Sequence, residues 1–281
     1  MSYRIGSFNM MNLSYTSNRE DDEIAKMIKS EKFDIVVMQE VLSEGKHINF
    51  IISRLKDWQY QFVDAKSTVD SRGEGYAFLW NNKRVNPVAS NDNFTALNTR
   101  GNLLRQPGYA RFTTKNTISG SFCEIRIIST HLCDKTVAER KEEFKVISTE
   151  VYPRIADKRY GDNMPAYTFL LGDYILNIKN VSNNSPYLEE LVEIPDNRLP
   201  RKIITVQEDK TSLKQEKDKL GNVFANNFDH FSYDEDRFVG IDLNYHHIDM
   251  VNDKKYYGGD LEKYREEISD HIPIKMDISF K

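Results

Sequence analysis

Apolar positions along this chain fall in short runs rather than long helical stripes, and the runs recur from the first residues to the last. "YRIGSFNM" (3–10) has strand length. "DIVVMQEV" (34–41) is continuously apolar up to Gln39, the pattern of a strand buried on both faces. "GYAFLW" (75–80) and "YTFLLGDY" (167–174) read alike, and "FCEIRIISTHL" (122–132) alternates before turning wholly apolar ahead of His131. "HIPIKMDISF" (271–280) alternates through Ile272, Ile274, Met276, Ile278 and Phe280, which predicts a strand with one wet face.

Helical spacing appears between these runs. Ile24, Met27 and Ile28 share a face in 17–33, where Ser17 and Glu20 predict a capping box. Ile48, Ile51, Ile52 and Leu55 do so in 47–58. Phe144, Ile147 and Val151 point inward from a helix over 137–155 that ends near Pro153. The segment 201–240 is polar and charge-dense. It predicts loops and short elements over one end of the domain, with the mixed-sign block "EDKTSLKQEKDKL" in solvent. There is no repeat, no linker and no strict βαβ rhythm. The expected architecture is therefore a single α/β domain over 1–281, two mixed sheets packed together with helices outside.

Composition narrows the function. With 39% hydrophobic and 29% charged residues the chain belongs with soluble globular proteins. A net charge of -4 excludes affinity built on broad phosphate neutralisation, so any nucleic-acid contact must be local. Arg100, Arg105, Arg111 and Lys115 form the one suggestive basic run. Two cysteines, Cys123 and Cys133, make no disulfide framework and are expected to be buried free thiols. "MSYRIGSFNMMNL" has no signal-peptide pattern and no window approaches a membrane span, so a cytoplasmic monomer is expected.

Polar residues at the strand tips carry the chemistry. Asn9 ends "SFN", Glu40 follows "VVMQ", His131 ends "IISTH", Asp173 ends "FLLGD", and Asp270 and His271 precede the last strand. Singly, each reads as a turn former or a first exposed residue. If the last strand runs antiparallel to its neighbours, all these tips meet on one edge of the core. Asn and Glu oxygens suit a hard cation such as Mg²⁺, with Mn²⁺ or Ca²⁺ as alternatives. No zinc-type His/Cys cluster is present. Metal, imidazoles and carboxylates together fit water-driven phosphoester cleavage. His246, His247 and Asp249 are expected on a structural strand, His47 to open a helix in solvent, and His230 to point away from Asp229.

In order, "SFNMMNL", "DIVVMQEV", "GEGYAFLW", "RQPGYARF", "STHL", "LGDY", "NNFDHF" and "ISDHIPI" resemble the segments of the deoxyribonuclease-I-like endonuclease/exonuclease/phosphatase family. The resemblance spans nearly the whole chain. It implies a four-layer α/β sandwich and Mg²⁺-dependent phosphodiester hydrolysis, an endonuclease on DNA or RNA, with nucleic acid or another phosphoester as partner. It further implies Asn9, Glu40 and Asp270 at the metal and His271 paired with Asp229. It places His131 with Glu74, Asp173 on the attacking water, and Arg105, with Tyr109 as a weaker candidate, on substrate phosphate. One position departs: Ile175 stands where the family places Asn, and isoleucine has no hydrogen-bonding side chain. Asn177 is the candidate replacement. A small-molecule or lipid phosphatase of the same fold, or a degenerate phosphate- or nucleic-acid-binding protein, are the alternatives.

Overall fold

The apolar runs become strands of two sheets in the computed structural model, which describes residues 2–66, 73–117, 122–160, 164–177, 189–192, 201–207 and 209–280. The first sheet has six strands. In spatial order they are β13 (Ile241–His247), β14 (Ile274–Phe280), β1 (Ser2–Leu13), β2 (Ile35–Val41), β4 (Gly75–Asn81) and β3 (Trp58–Asp64). The second sheet runs β10 (Glu189–Val192), β11 (Arg201–Val206), β12 (Asp229–Asp234), β9 (Ala166–Asp173), β8 (Glu124–His131), β7 (Gly108–Thr114) and β5 (Val85–Pro87). The short β6 (Thr95–Ala96) pairs with β7 off this path. The pairs β1–β2 and β8–β9 are parallel, while β14 is antiparallel to both β1 and β13. That antiparallel return brings the start of the last strand to the rim where β1 and β2 end.

Strand alternation sorts the side chains into layers. Between the sheets lie Ile5, Val37, Phe78, Phe112, Ile127, Phe169, Phe231 and Met276. Outside the first sheet, Phe8, Val36 and Met38 meet Ile24, Met27 and Ile28 of α1 (Asp21–Ser30) and Ile48 and Ile51 of α2 (Ile48–Ile52). Outside the second, Ile128 and Leu170 meet Phe144 of α3 (Val137–Val146) and Tyr152 and Ile155 of α4 (Tyr152–Ala156). The inward positions of β1 and β2 change from Ile5 and Val37 to Ser7 and Gln39. There Gln39 Nε2 donates to Ser129 Oγ at 3.0 Å across the sandwich. The inter-sheet layer thus turns from apolar to polar one pleat below the rim.

Several local expectations are corrected. Helix α1 has no side-chain cap; Ser17 Oγ accepts from Ser14 N instead, and the complete capping box is Thr136 with Glu139, opening α3. The helix expected over 137–155 is met by α3, a π-helical turn over Ile147–Val151 and α4, which ends at Ala156 with Pro153 tolerated in its first turn. The polar segment 201–240 contributes β11 and β12 to the second sheet, and β12 carries Asp229 to the rim. Both cysteines are buried free thiols. Among the described residues no helix is long and apolar enough to cross a membrane.

Within the basic run Arg105 and Arg111 are buried and paired, while Arg100 and Lys115 stay exposed. Arg111 donates to Glu124 from Nε at 2.7 Å and Nη2 at 3.2 Å, and Arg126 Nε donates to the same carboxylate at 2.7 Å, all three groups buried. Burial alone would raise the Glu124 pKa, but the two guanidiniums override it and hold the carboxyl below its usual value. Glu124→Ala is expected to cost about 3–5 kcal/mol, because it leaves buried like charges facing each other. Urea unfolding at pH 7 checks this. Since the folded pKa is depressed, the contribution is present above the unfolded value and is lost as pH falls through the folded one.

Candidate active site

Register places three functional side chains abreast. In the parallel β8–β9 pair His131 sits opposite Asp173, and in the antiparallel β12–β9 pair Asp229 sits opposite Asp173. Gly172 allows this closeness: its φ is +139° and a Cβ there would lie 1.9 Å from Thr130 O, so no other residue fits. From the facing sheet β1 brings Asn9, β2 brings Glu40, the residue before β4 is Glu74, and His271 precedes β14.

Two acid–imidazole pairs frame the site. Glu74 Oε1 meets His131 Nδ1 at 2.7 Å, and Asp229 Oδ2 meets His271 Nδ1 at 2.7 Å. Each carboxylate fixes its ring so that Nε2 faces inward. Those Nε2 atoms lie 4.0 Å and 3.6 Å from Asp173 Oδ2, and His131 Nε2 is also 3.6 Å from Glu40 Oε1. Asn9 Nδ2 donates to Glu40 at 2.8 Å and to Asp173 at 2.9 Å, while its Oδ1 accepts from Met11 N. The Met11 amide sets the orientation of the Asn9 side chain, which turns its NH₂ toward the two carboxylates. Asn9 thus bridges the two carboxylates through its amide nitrogen. Asn12 N donates to Glu40 Oε2 at 3.0 Å.

Charges in this setting are displaced from their ordinary values. Burial raises the Asp173 pKa to about 6, with Asp229 adding to it and His271, His131 and the Asn9 bond opposing. Burial works to lower His271, yet the Asp229 and Asp173 charges and the Asp229 bond carry it up to about 10. His131 is likewise raised against burial by Glu74, Glu40 and Asp173. Glu74 is held low by His131 and Arg105 despite its burial.

These groups line a pocket of about 240 Å³ formed by Asn12, Glu40, Glu74, Arg105, His131, Asp134, Asp173, Ile175, Phe228 and His271. Arg105 Nε donates to Glu74 Oε2 at 2.7 Å and its Nη1 to Leu132 O at 3.2 Å, so it enters as part of the His131 pair. Three lining residues are left-handed without being glycine: Asn12 (φ 56°), Glu40 (φ 54°) and Ile175 (φ 48°). Such strain gathers at functional sites.

Two expected site residues, Tyr109 and Asn177, lie elsewhere. Tyr109 points to the outer layer with Ile128 and Leu170, its hydroxyl 3.5 Å from Tyr160, because strand parity turns it away from the rim. Asn177 is taken up by the 226–227 loop: Nδ2 donates to Asn226 Oδ1 at 3.2 Å and Oδ1 accepts from Asn227 N. It does not replace the missing amide. Asp270, like Asn9 and Asp229, does not line the pocket itself, and its charge bears on His271. His246 and His247 lie on edge strand β13. His230 is fully buried, its ring nitrogens against Gln207 O and Leu176 O.

Others were not singled out by the sequence pattern. Asn12 lies inside the motif "SFNMMNL" and Asp134 two residues past "STHL", a usable signal. Glu143 on α3 gave none: its buried carboxylate accepts from Leu104 N at 3.0 Å and Cys133 N at 2.7 Å, tying the Arg105 segment to the end of β8.

No family model matches this chain, and no curated protein matches it. Solved structures do. An endonuclease/exonuclease/phosphatase family protein from Bacteroides thetaiotaomicron is 17% identical, with 100% of this chain and 96% of that chain covered, at a TM-score of 0.61. A mannosyl-6-phosphatase from the same organism is 16% identical over 99% and 100% of the two chains, at 0.60. D. rerio TDP2, complexed with a single-strand DNA product, is 16% identical over 99% of each, at 0.59. These likenesses establish the fold.

Proposed function

We propose that this chain, which has the fold of the endonuclease/exonuclease/phosphatase proteins, hydrolyses phosphoesters with the help of a divalent cation, nucleic-acid phosphodiesters being the substrate and endonucleolytic cleavage the reaction. The observation that carries the proposal is the convergence of two carboxylate-backed imidazoles on one buried aspartate beside Glu40.

The donor set suits the cation. Glu40 and Asp173 place carboxylate oxygens within 4.8 Å of each other, with His131 beside them. The pocket is lined by four carboxylates, Glu40, Glu74, Asp134 and Asp173, against Arg105 and two imidazoles. An anionic ester meets net repulsion there unless a cation intervenes. Glu40 is the half-buried carboxylate open to it, and Mg²⁺ is the natural choice for oxygen donors plus substrate phosphate. Such an ion polarises the phosphoryl group and offsets its charge. The protein's own contribution is the rest. Asp173 accepts a proton from the attacking water. The His131 Nε2–H holds a phosphoryl oxygen, and the His271 Nε2–H supplies a proton to the leaving alkoxide. Asn9 keeps Glu40 and Asp173 in place.

A second reading, hydrolysis of small phosphate esters, draws on the acid-lined pocket of about 240 Å³ and the net charge of -4. One panel tests both: plasmid, single-stranded DNA, RNA, sugar phosphates and bis(p-nitrophenyl) phosphate, each with Mg²⁺ and with EDTA. Cleavage that needs Mg²⁺, stops with EDTA and returns on readdition is the expected result. Absence of metal-dependent product from every substrate at high enzyme overturns the proposal and leaves a binding role.

A further inference from the structure

Large exposed aromatic side chains are few among the described residues: Tyr15, Phe50, Phe122 and Tyr245. Two of them touch. Tyr15 is 55% exposed and Phe50 40%, with ring centroids 5.7 Å apart and planes tilted by 33°. Tyr15 follows the end of β1, three residues beyond the pocket residue Asn12, and so lies within about 11 Å of it along the chain. Phe50 lies in α2, the helix that follows the Glu40 strand.

The pair is held from beneath by a residue expected in solvent. His47 is only 3% exposed. Its Nδ1 meets Ser14 O at 2.9 Å, its Nε2 meets Asp21 Oδ1 at 2.9 Å, and its ring packs edge-on to Phe50 at 5.3 Å. It therefore clamps the Tyr15 loop to the Phe50 helix. Arg19 Nη2 adds a bond to Met11 O at 2.8 Å, fixing the same loop where it leaves the pocket. Exposed rings are costly in water, and an isolated one needs no explanation. Two rings pre-set by a buried clamp, one of them three residues along the chain from the pocket residue Asn12, describe a surface made to be covered by something flat.

We infer that Tyr15 and Phe50 form a stacking platform for an unpaired nucleobase of a single-stranded nucleic acid whose backbone enters the pocket. The inference rests on the phosphoesterase reading for its geometry and adds the substrate class. Stacking on an aromatic ring suits any base, because every base has a π-face, and it requires the base to be free of a duplex.

The test is binding of a fluorescent, hydrolysis-resistant single-stranded oligodeoxythymidine phosphorothioate of about twelve nucleotides, within the usual site size, by anisotropy with Mg²⁺ present. Beside it runs hydrolysis of bis(p-nitrophenyl) phosphate with Mg²⁺. Tyr15→Ala and Phe50→Ala should each weaken oligonucleotide binding about tenfold, Tyr15→Trp should retain it, and hydrolysis of the small ester should stay unchanged. Equal binding by wild type and both alanine variants overturns the inference. So does a matching fall in small-ester hydrolysis, which would mark the rings as supports of the rim. A wild-type chain that hydrolyses the small ester but binds no oligonucleotide also overturns it and leaves the phosphoesterase reading standing. Ring-dependent binding without any hydrolysis supports the platform and sinks the enzyme.

Discussion

Replacing His271 by alanine is expected to lower kcat on any phosphoester the chain cleaves by about 10²–10⁴, the range of a positioned acid–base group. The effect comes from charge as much as from proton transfer. Asp229 Oδ2 at 2.7 Å and Asp173 at 3.6 Å hold the imidazole cationic, with its pKa raised to about 10. Its loss removes the proton donor to the leaving group and leaves Asp173 and Asp229 buried without the cation between them. A pH series gives the sharper signature. Asp173 must be ionised to accept a proton and His271 must be charged to donate one. Activity of the wild type should therefore rise as pH climbs through about 6 and fall as it passes about 10. The two limbs belong to the interacting groups jointly. His271→Ala should lose the alkaline limb along with the rate. A profile in the variant with the same two limbs would remove His271 from proton transfer.

How much of this was legible beforehand follows from which facts lie along the chain and which lie across it. The strand tips were legible because continuous apolar runs end abruptly at Asn9, Glu40, His131 and Asp173, and an antiparallel last strand then gathers them at one rim. Strand parity was not. Tyr109 sits in the same motif as Arg105, yet its place in β7 turns it toward Ile128 and Leu170 in the outer layer. Only the register with β8, Tyr109 opposite Ile128, settles that. The segment from 201 hid β11 because an edge-side strand with a short apolar face is outweighed by the charges around it. His47 was misjudged for a related reason: its partners, Ser14 O and Asp21, are 33 and 26 residues away. The capping box between Ser17 and Glu20 failed because α1 begins only at Asp21, with Glu20 itself at the N-cap, while Ser17 Oγ accepts from Ser14 N.

Ile175→Asn is expected to change stability and activity together, and the two effects have separate causes. Ile175 has φ 48°, a left-handed conformation that costs a β-branched residue about 1–2 kcal/mol and that asparagine tolerates. The bend does not depend on the isoleucine: Asp173 Oδ1 accepts from the residue 175 N–H at 2.9 Å, an acid-made turn that any side chain there inherits. Asparagine should thus keep the same backbone and put its amide where Ile175 now lines the pocket beside Asp173 and His271. The melting temperature should rise by about 2–4 °C for each 1 kcal/mol of relieved strain, less what the lost apolar contact of a half-buried isoleucine takes away. The added donor should raise kcat by about 10²–10³, the size of one oxyanion contact. Ile175→Gly separates the causes, since it relieves the backbone and supplies no amide: it should share in the stability change and not in the rate. Calorimetry and the Mg²⁺-dependent assay on the three proteins decide it. Equal rates for the asparagine and glycine variants would mean that no substrate phosphate comes within reach of position 175, and the water-positioning role given to Asp173 would fall with it.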